Sequence, residues 1–147
     1  MNPRVSNLPI TILLIEDNPG DVRLIQEAFK KARITNRIHS VLNGDDAMDF
    51  LRKEGKFSSS KTPDLVLLDL NLPGKDGRDV LSDMKSDPAL KKIPVIILSS
   101  SGAEEDIMKS YELSANCYIT KPVDVSDFFN VIQLITDFWI TIVKLPS

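Results

Sequence analysis

Four short apolar runs punctuate the chain, at residues 12–15, 65–68, 95–98 and, more weakly, 117–120, with a poorer fifth at 37–41. Each is rich in leucine or β-branched residues and none alternates with polar positions. Runs of that kind fit strands buried on both faces, which means a parallel sheet covered by helices. Between them the apolar positions change to helical spacing. Val22, Ile25, Phe29 and Ala32 mark one helix, and Ala47, Met48, Phe50 and Leu51 a second. Val80, Leu81 and Met84 mark a third, and Ile107, Met108, Tyr111 and Leu113 a fourth. The fifth is the longest, over about residues 126–143. Five strand–helix units in strict alternation predict a doubly wound α/β domain with right-handed crossovers. The first helix has a clear start: Asn18 as N-cap, Pro19 at the first helical position and Asp21 in the first turn. Ser58 to Ser60 read as a surface loop, and no repeat or interdomain linker interrupts the pattern, so residues 1–147 are expected to form one domain.

Composition narrows the class of function. With 147 residues, 42% hydrophobic and 27% charged, the chain has the make-up of an ordinary globular domain. Eighteen basic against 21 acidic residues give a net charge of −3, which offers no electrostatic reason to expect nucleic acid as a partner. The single cysteine, Cys117, excludes an internal disulfide and a cysteine-built zinc site. No run approaches the ~18 apolar residues of a membrane span, and the N-terminal run leads straight into Glu16-Asp17 with no cleavage pattern. The expected setting is the cytoplasm, with no membrane partner.

In an open α/β sheet, ligands bind outside the carboxyl ends of the strands. The first strand ends in Glu16-Asp17, the third in Asp69, the fourth in Ser99-Ser100 and the fifth in Thr120-Lys121-Pro122. Parallel strands bring three carboxylates, a hydroxyl and an ammonium to one rim. Taken singly, each is an ordinary strand-end or solvated group; their joint placement is the signal. Three carboxylates repel one another near neutral pH unless a pKa rises or a cation joins them. With no histidine or thiol among them, the oxygen donors suit Mg²⁺, which keeps several waters and can exchange them for phosphoryl oxygens. Lys121 and Ser99 are fitting partners for the remaining oxygens of such a group.

This arrangement resembles the receiver domains of two-component response regulators from Ile12 to about Phe138. The matching segments are residues 12–18, 67–73, 95–99 and 118–122. The resemblance implies a flavodoxin-like, five-stranded parallel sheet in the order 2-1-3-4-5 with helices on both faces. It places the phosphoacceptor at Asp69, a direct Mg²⁺ ligand at Asp17, a water-mediated one at Glu16 and a carbonyl ligand at Asn71. Ser99 matches the switch hydroxyl, Lys121 the phosphate-pairing lysine and Tyr118 the aromatic rotamer switch. Pro122 matches the proline of the family's cis peptide bond. Two residues depart from the commoner pattern: Glu16 stands for an aspartate and Ser99 for a threonine. The partner implied is a sensor histidine kinase, and the output is a repacked face of the fourth helix, fifth strand and fifth helix. His39, the lone histidine, is expected to be structural or exposed rather than a phosphohistidine.

On the last helix, Phe128, Val131, Ile132, Ile135, Phe138, Trp139 and Ile142 form one apolar stripe. Phe129, Ile140 and Val143 lie on another flank, and with Trp139 they exceed what one covered helix needs, which suggests a partner surface. Phe138-Trp139, residues 143–146 and the first loop at 17–24 look like the single-domain regulators paired with bacterial phytochromes, which implies a homodimer. Three rivals share parts of this pattern. A phosphohydrolase of the dehalogenase class wants a second aspartate where Asn71 stands. A flavin or nucleotide binder would need a glycine-rich phosphate loop, and none follows a strand. A receiver-like interaction module without phosphorylation would have no use for all five polar positions.

Overall fold

The computed structural model describes residues 10–31, 36–100, 104–112, 115, 117–121 and 125–135. Five strands, β1 (Ile10–Ile15), β2 (Asn36–Val41), β3 (Leu65–Leu68), β4 (Val95–Ser99) and β5 (Cys117–Thr120), form one parallel sheet in the order β2-β1-β3-β4-β5. Helices α1 (Pro19–Lys30), α2 (Gly44–Arg52), α3 (Gly77–Ser86), α4 (Glu104–Glu112) and α5 (Val125–Ile135) alternate with them, with a short 3₁₀ turn at Gly55–Phe57. The poorest of the expected strands is thus a full edge strand, and β1 starts two residues earlier than its apolar run suggests.

The uniform apolar runs follow from two cores, one on each face. Ile10, Ile12 and Leu14 of β1 join Leu65, Leu67, Ile96 and Leu98 beneath Ile25, Ala28 and Phe29 of α1. The alternate residues Leu13, Ile15, Val66, Leu68, Val95 and Ile97 pack against Ala47, Met48, Phe50 and Leu51 of α2 and Val80, Leu81 and Met84 of α3. Since a strand's side chains alternate between faces, burial on both demands an apolar residue at every position. Trimming one such leucine to alanine costs about 2–5 kcal/mol. Among the described residues, no helix is long and apolar enough to cross a membrane.

Helix boundaries obey local chemistry. Asn18 Oδ1 accepts from the Gly20 and Asp21 amides at 2.9 and 3.1 Å, with Pro19 at the first turn, as expected. Asn43 caps α2 through the Asp46 amide at 2.7 Å, and Asp76 caps α3 through the Arg78 amide at 2.7 Å. The described part of α5 packs against α1. Phe129, expected on a partner-facing flank, is half-buried on the α1 side of the core, with the Lys31 ammonium 4.8 Å above its ring. Trp139, Ile140 and Val143, and Pro122 with its implied cis bond, lie outside the described residues.

Candidate functional site

The sheet reverses its order between β1 and β3, and their carboxyl ends are in register, Ile15 opposite Leu68. The residues that follow, Glu16 and Asp69, therefore leave the sheet side by side. Backbone bonds hold both there: the Glu16 amide donates to the Val41 carbonyl at 3.1 Å and the Asp69 amide to Ile15 at 3.0 Å. Ser99 ends β4 fully buried, paired with Thr120, and the Lys121 amide donates to its carbonyl at 2.7 Å. That bond fixes the root of Lys121, whose side chain crosses the end of β4 to the acidic pair.

The Lys121 ammonium then meets three carboxylates. It donates to Glu16 Oε1, to Asp21 Oδ2 at 2.7 Å and to Asp69 Oδ2 at 3.1 Å. The other oxygens are held by backbone: Asp69 Oδ1 accepts from the Asn71 amide at 3.0 Å, and Glu16 Oε2 from the Asn18 amide at 3.1 Å. Glu16 and Asp69 are buried while Asp17 is exposed, and one carboxylate oxygen from each lies within 4.8 Å of the others. Burial and the Asp69 charge push the Glu16 carboxyl up to about 7, against the pull of Lys121. The Lys121 ammonium loses by burial but gains more from Asp21, Glu16 and Asp69, so its pKa is raised. The lysine does not reverse the rise at Glu16, because its single charge is divided among three carboxylates.

Charge and donor type indicate what this rim accepts. Four carboxylates, with Asp21 included, face one ammonium and leave an excess of negative charge. All donors in the acidic cluster are oxygens, and one side is open through Asp17, so a hard divalent cation fits. Glu16, Asp17, Asp69 and Lys121 are thus brought together, and Ser99 is the buried last residue of β4. Asn71 is exposed, with its amide turned to Asp69. Tyr118 is half-buried against the α2–α3 side of the core, and its amide donates to the Tyr111 hydroxyl of α4 at 3.2 Å. His39 is exposed on β2, tilted against the Phe50 ring at 5.4 Å between centroids.

Asp21 is the site residue that sequence reasoning missed. It reads as an ordinary acid in a helix first turn, a sufficient role in itself. The available signal was that α1 begins directly after the acidic pair, so its first turn shares the rim.

A doubly wound sheet with this acidic rim and a lysine from the fifth strand end is the arrangement of the receiver class. The response regulator receiver domain matches residues 12–133, and the chain belongs to that family. Response regulator Rcp1 of Synechocystis sp. is 46% identical over 142 residues, covering 97% of both chains. The crystal structure of the Mn(2+)-bound form of Rcp1 superposes with a TM-score of 0.91, covering 95% of this chain and all of the other at 46% identity. That of the phosphorylated cyanobacterial phytochrome response regulator RcpA gives 0.93 at 48% identity, with the same coverage. The chain is accordingly a signalling receiver with a sensor kinase as partner, and the phosphohydrolase reading falls away.

Proposed function

We propose that the chain is a stand-alone receiver, residues 1–147, that takes a phosphoryl group onto Asp69 from a kinase phosphohistidine in a Mg²⁺-dependent reaction. The observation that carries this reading is the clamp on Asp69, one oxygen on the Asn71 amide and the other on Lys121, inside an acidic cluster at the switch point. A carboxylate so held cannot rotate away, and positioning supplies much of the acceleration in phosphoryl transfer. An Asp69 oxygen bonds to phosphorus as the phosphorus–nitrogen bond breaks, and the electron pair leaves with the imidazole nitrogen. Lys121 and the Ser99 hydroxyl take the charge gathering on the equatorial oxygens. Asp17, Asp69 and the Asn71 carbonyl would hold Mg²⁺, with Glu16 through water, and the ion would neutralise phosphoryl charge when bound.

The output we infer is a change at Ser99 that Tyr118 follows. The Tyr118 amide donates to the Tyr111 hydroxyl, which ties β5 to α4 beside the Tyr118 side chain. Met108 and Tyr111 on α4 and Leu134 on α5 are exposed apolar groups, which supports this face as a partner or homodimer surface. The sequence pattern at Trp139, Ile140 and Val143 supports the same reading. The likeness to a phytochrome response regulator favours a phytochrome as the kinase, acting in the cytoplasm.

The test is labelling with a small phosphodonor. The wild type takes up an alkali-labile, hydroxylamine-sensitive label that chelation of divalent ions prevents, and Asp69→Asn takes up none. Undiminished labelling of Asp69→Asn would overturn the assignment.

A further inference from the structure

Resting on that reading, we propose that Asp21 is a positioning residue that restrains phosphorylation by competing with the incoming phosphoryl group for Lys121. An ammonium has three N–H donors, and the three carboxylates of Glu16, Asp21 and Asp69 take them. A phosphoryl group that needs this ammonium must displace an acceptor. The three differ in what release costs. The Glu16 side chain is 1% exposed and also tied to the Asn18 amide, so bulk solvent cannot take the place of the lysine. Asp69, 8% exposed, is the group under modification. Asp21, at 26% exposed, can exchange its bond to Lys121 for hydration, which makes it the acceptor that yields.

Its charge works in the same direction. Asp21 adds a negative charge 2.7 Å from the cation that must steady a dianion, so its carboxylate lowers the site's affinity for phosphoryl oxygens while unmodified. The carboxylate also sits in the first turn of α1, so its release couples the state of Asp69 to that helix end. Asp21 touches no reacting atom and acts through Lys121.

Beryllofluoride, which mimics the phosphoryl group on a carboxylate, reads this balance without turnover. With Mg²⁺ present, Asp21→Asn binds beryllofluoride at least about threefold more tightly than wild type, the lower range for coupled neighbours. It also labels faster with acetyl phosphate. Asp21→Glu, which keeps the charge, falls back toward the wild-type affinity. The gain persists in 0.5 M salt, because a contact pair is screened far less than a remote charge. Unchanged or weaker binding by Asp21→Asn, equal gains in Asn and Glu variants, or a gain abolished by salt would each overturn the role. Failure of the wild type to label at Asp69 would instead overturn the phosphoacceptor reading, so the two fail separately.

Discussion

Glu16 is the group whose protonation the fold disturbs most clearly. Its carboxyl sits near pH 7 in the folded protein against 4.5 as an ordinary glutamate. Between those values the folded chain holds a proton that the unfolded chain releases, so stability falls as pH rises through that window. The loss is on the order of 1–3 kcal/mol and is absent below pH 4.5. In chelator, the wild type is expected to lose urea stability relative to Glu16→Gln from about pH 5 to 7.5. A divalent ion removes the decline, since it favours the carboxylate. Residue identity at the rim was legible in sequence because strand ends are marked by the last apolar residue: Glu16 and Asp69 each follow one directly, and Lys121 comes one residue later, after Ile119 and Thr120. For Asp21 only its closeness to the rim was legible, because nothing in a helix first turn says how far a lysine 100 residues later reaches.

At the scale of elements, the loop from β3 to α3 keeps Asp69 in place. The Gly77 amide donates to the Leu70 carbonyl at 3.0 Å, drawing the start of α3 against the strand end. A Cβ on Gly77 would lie 2.6 Å from the Leu70 Cα and closer still to the Asp69 carbonyl, and backbone cannot swing aside as a side chain can. Gly77→Ala is therefore expected to cost about 1–3 kcal/mol by denaturant unfolding and to slow labelling of Asp69. Helical circular dichroism should be retained. The same glycine looks like a simple loop residue in sequence, since close approach between distant backbones leaves no periodic trace. Phe129 teaches the converse. Its helical phase set it apart from the main stripe, yet Phe129 packs half-buried against the α1 side of the core beneath Lys31, which no pattern within α5 could reveal.

Across the whole molecule, the rim stores an excess of negative charge that folding tolerates and a cation relieves. Binding only to the folded state, a divalent ion at one hundred times its dissociation constant should stabilise the protein by about 2.7 kcal/mol. For a domain of this size that raises the melting temperature by roughly 5–10 °C. Asp17→Asn, with one carboxylate fewer, should show a smaller rise in thermal melts. Association through the α4–β5–α5 face should appear in sedimentation equilibrium as a dimer that strengthens with beryllofluoride. A monomer under both conditions would exclude it.

The sequence by itself determined the alternation of elements, the two-sided burial of the sheet and the chemical kind of each group at its rim. Those properties are written in short-range order: an apolar run, a capping asparagine, a carboxylate at the run's end. Only the tertiary structure decided which carboxylates share one ammonium, that Phe129 packs toward α1 and where neighbouring backbone leaves room for glycine alone. These depend on distances between residues far apart in the chain, which are set when the strands take their register and the helices close over them.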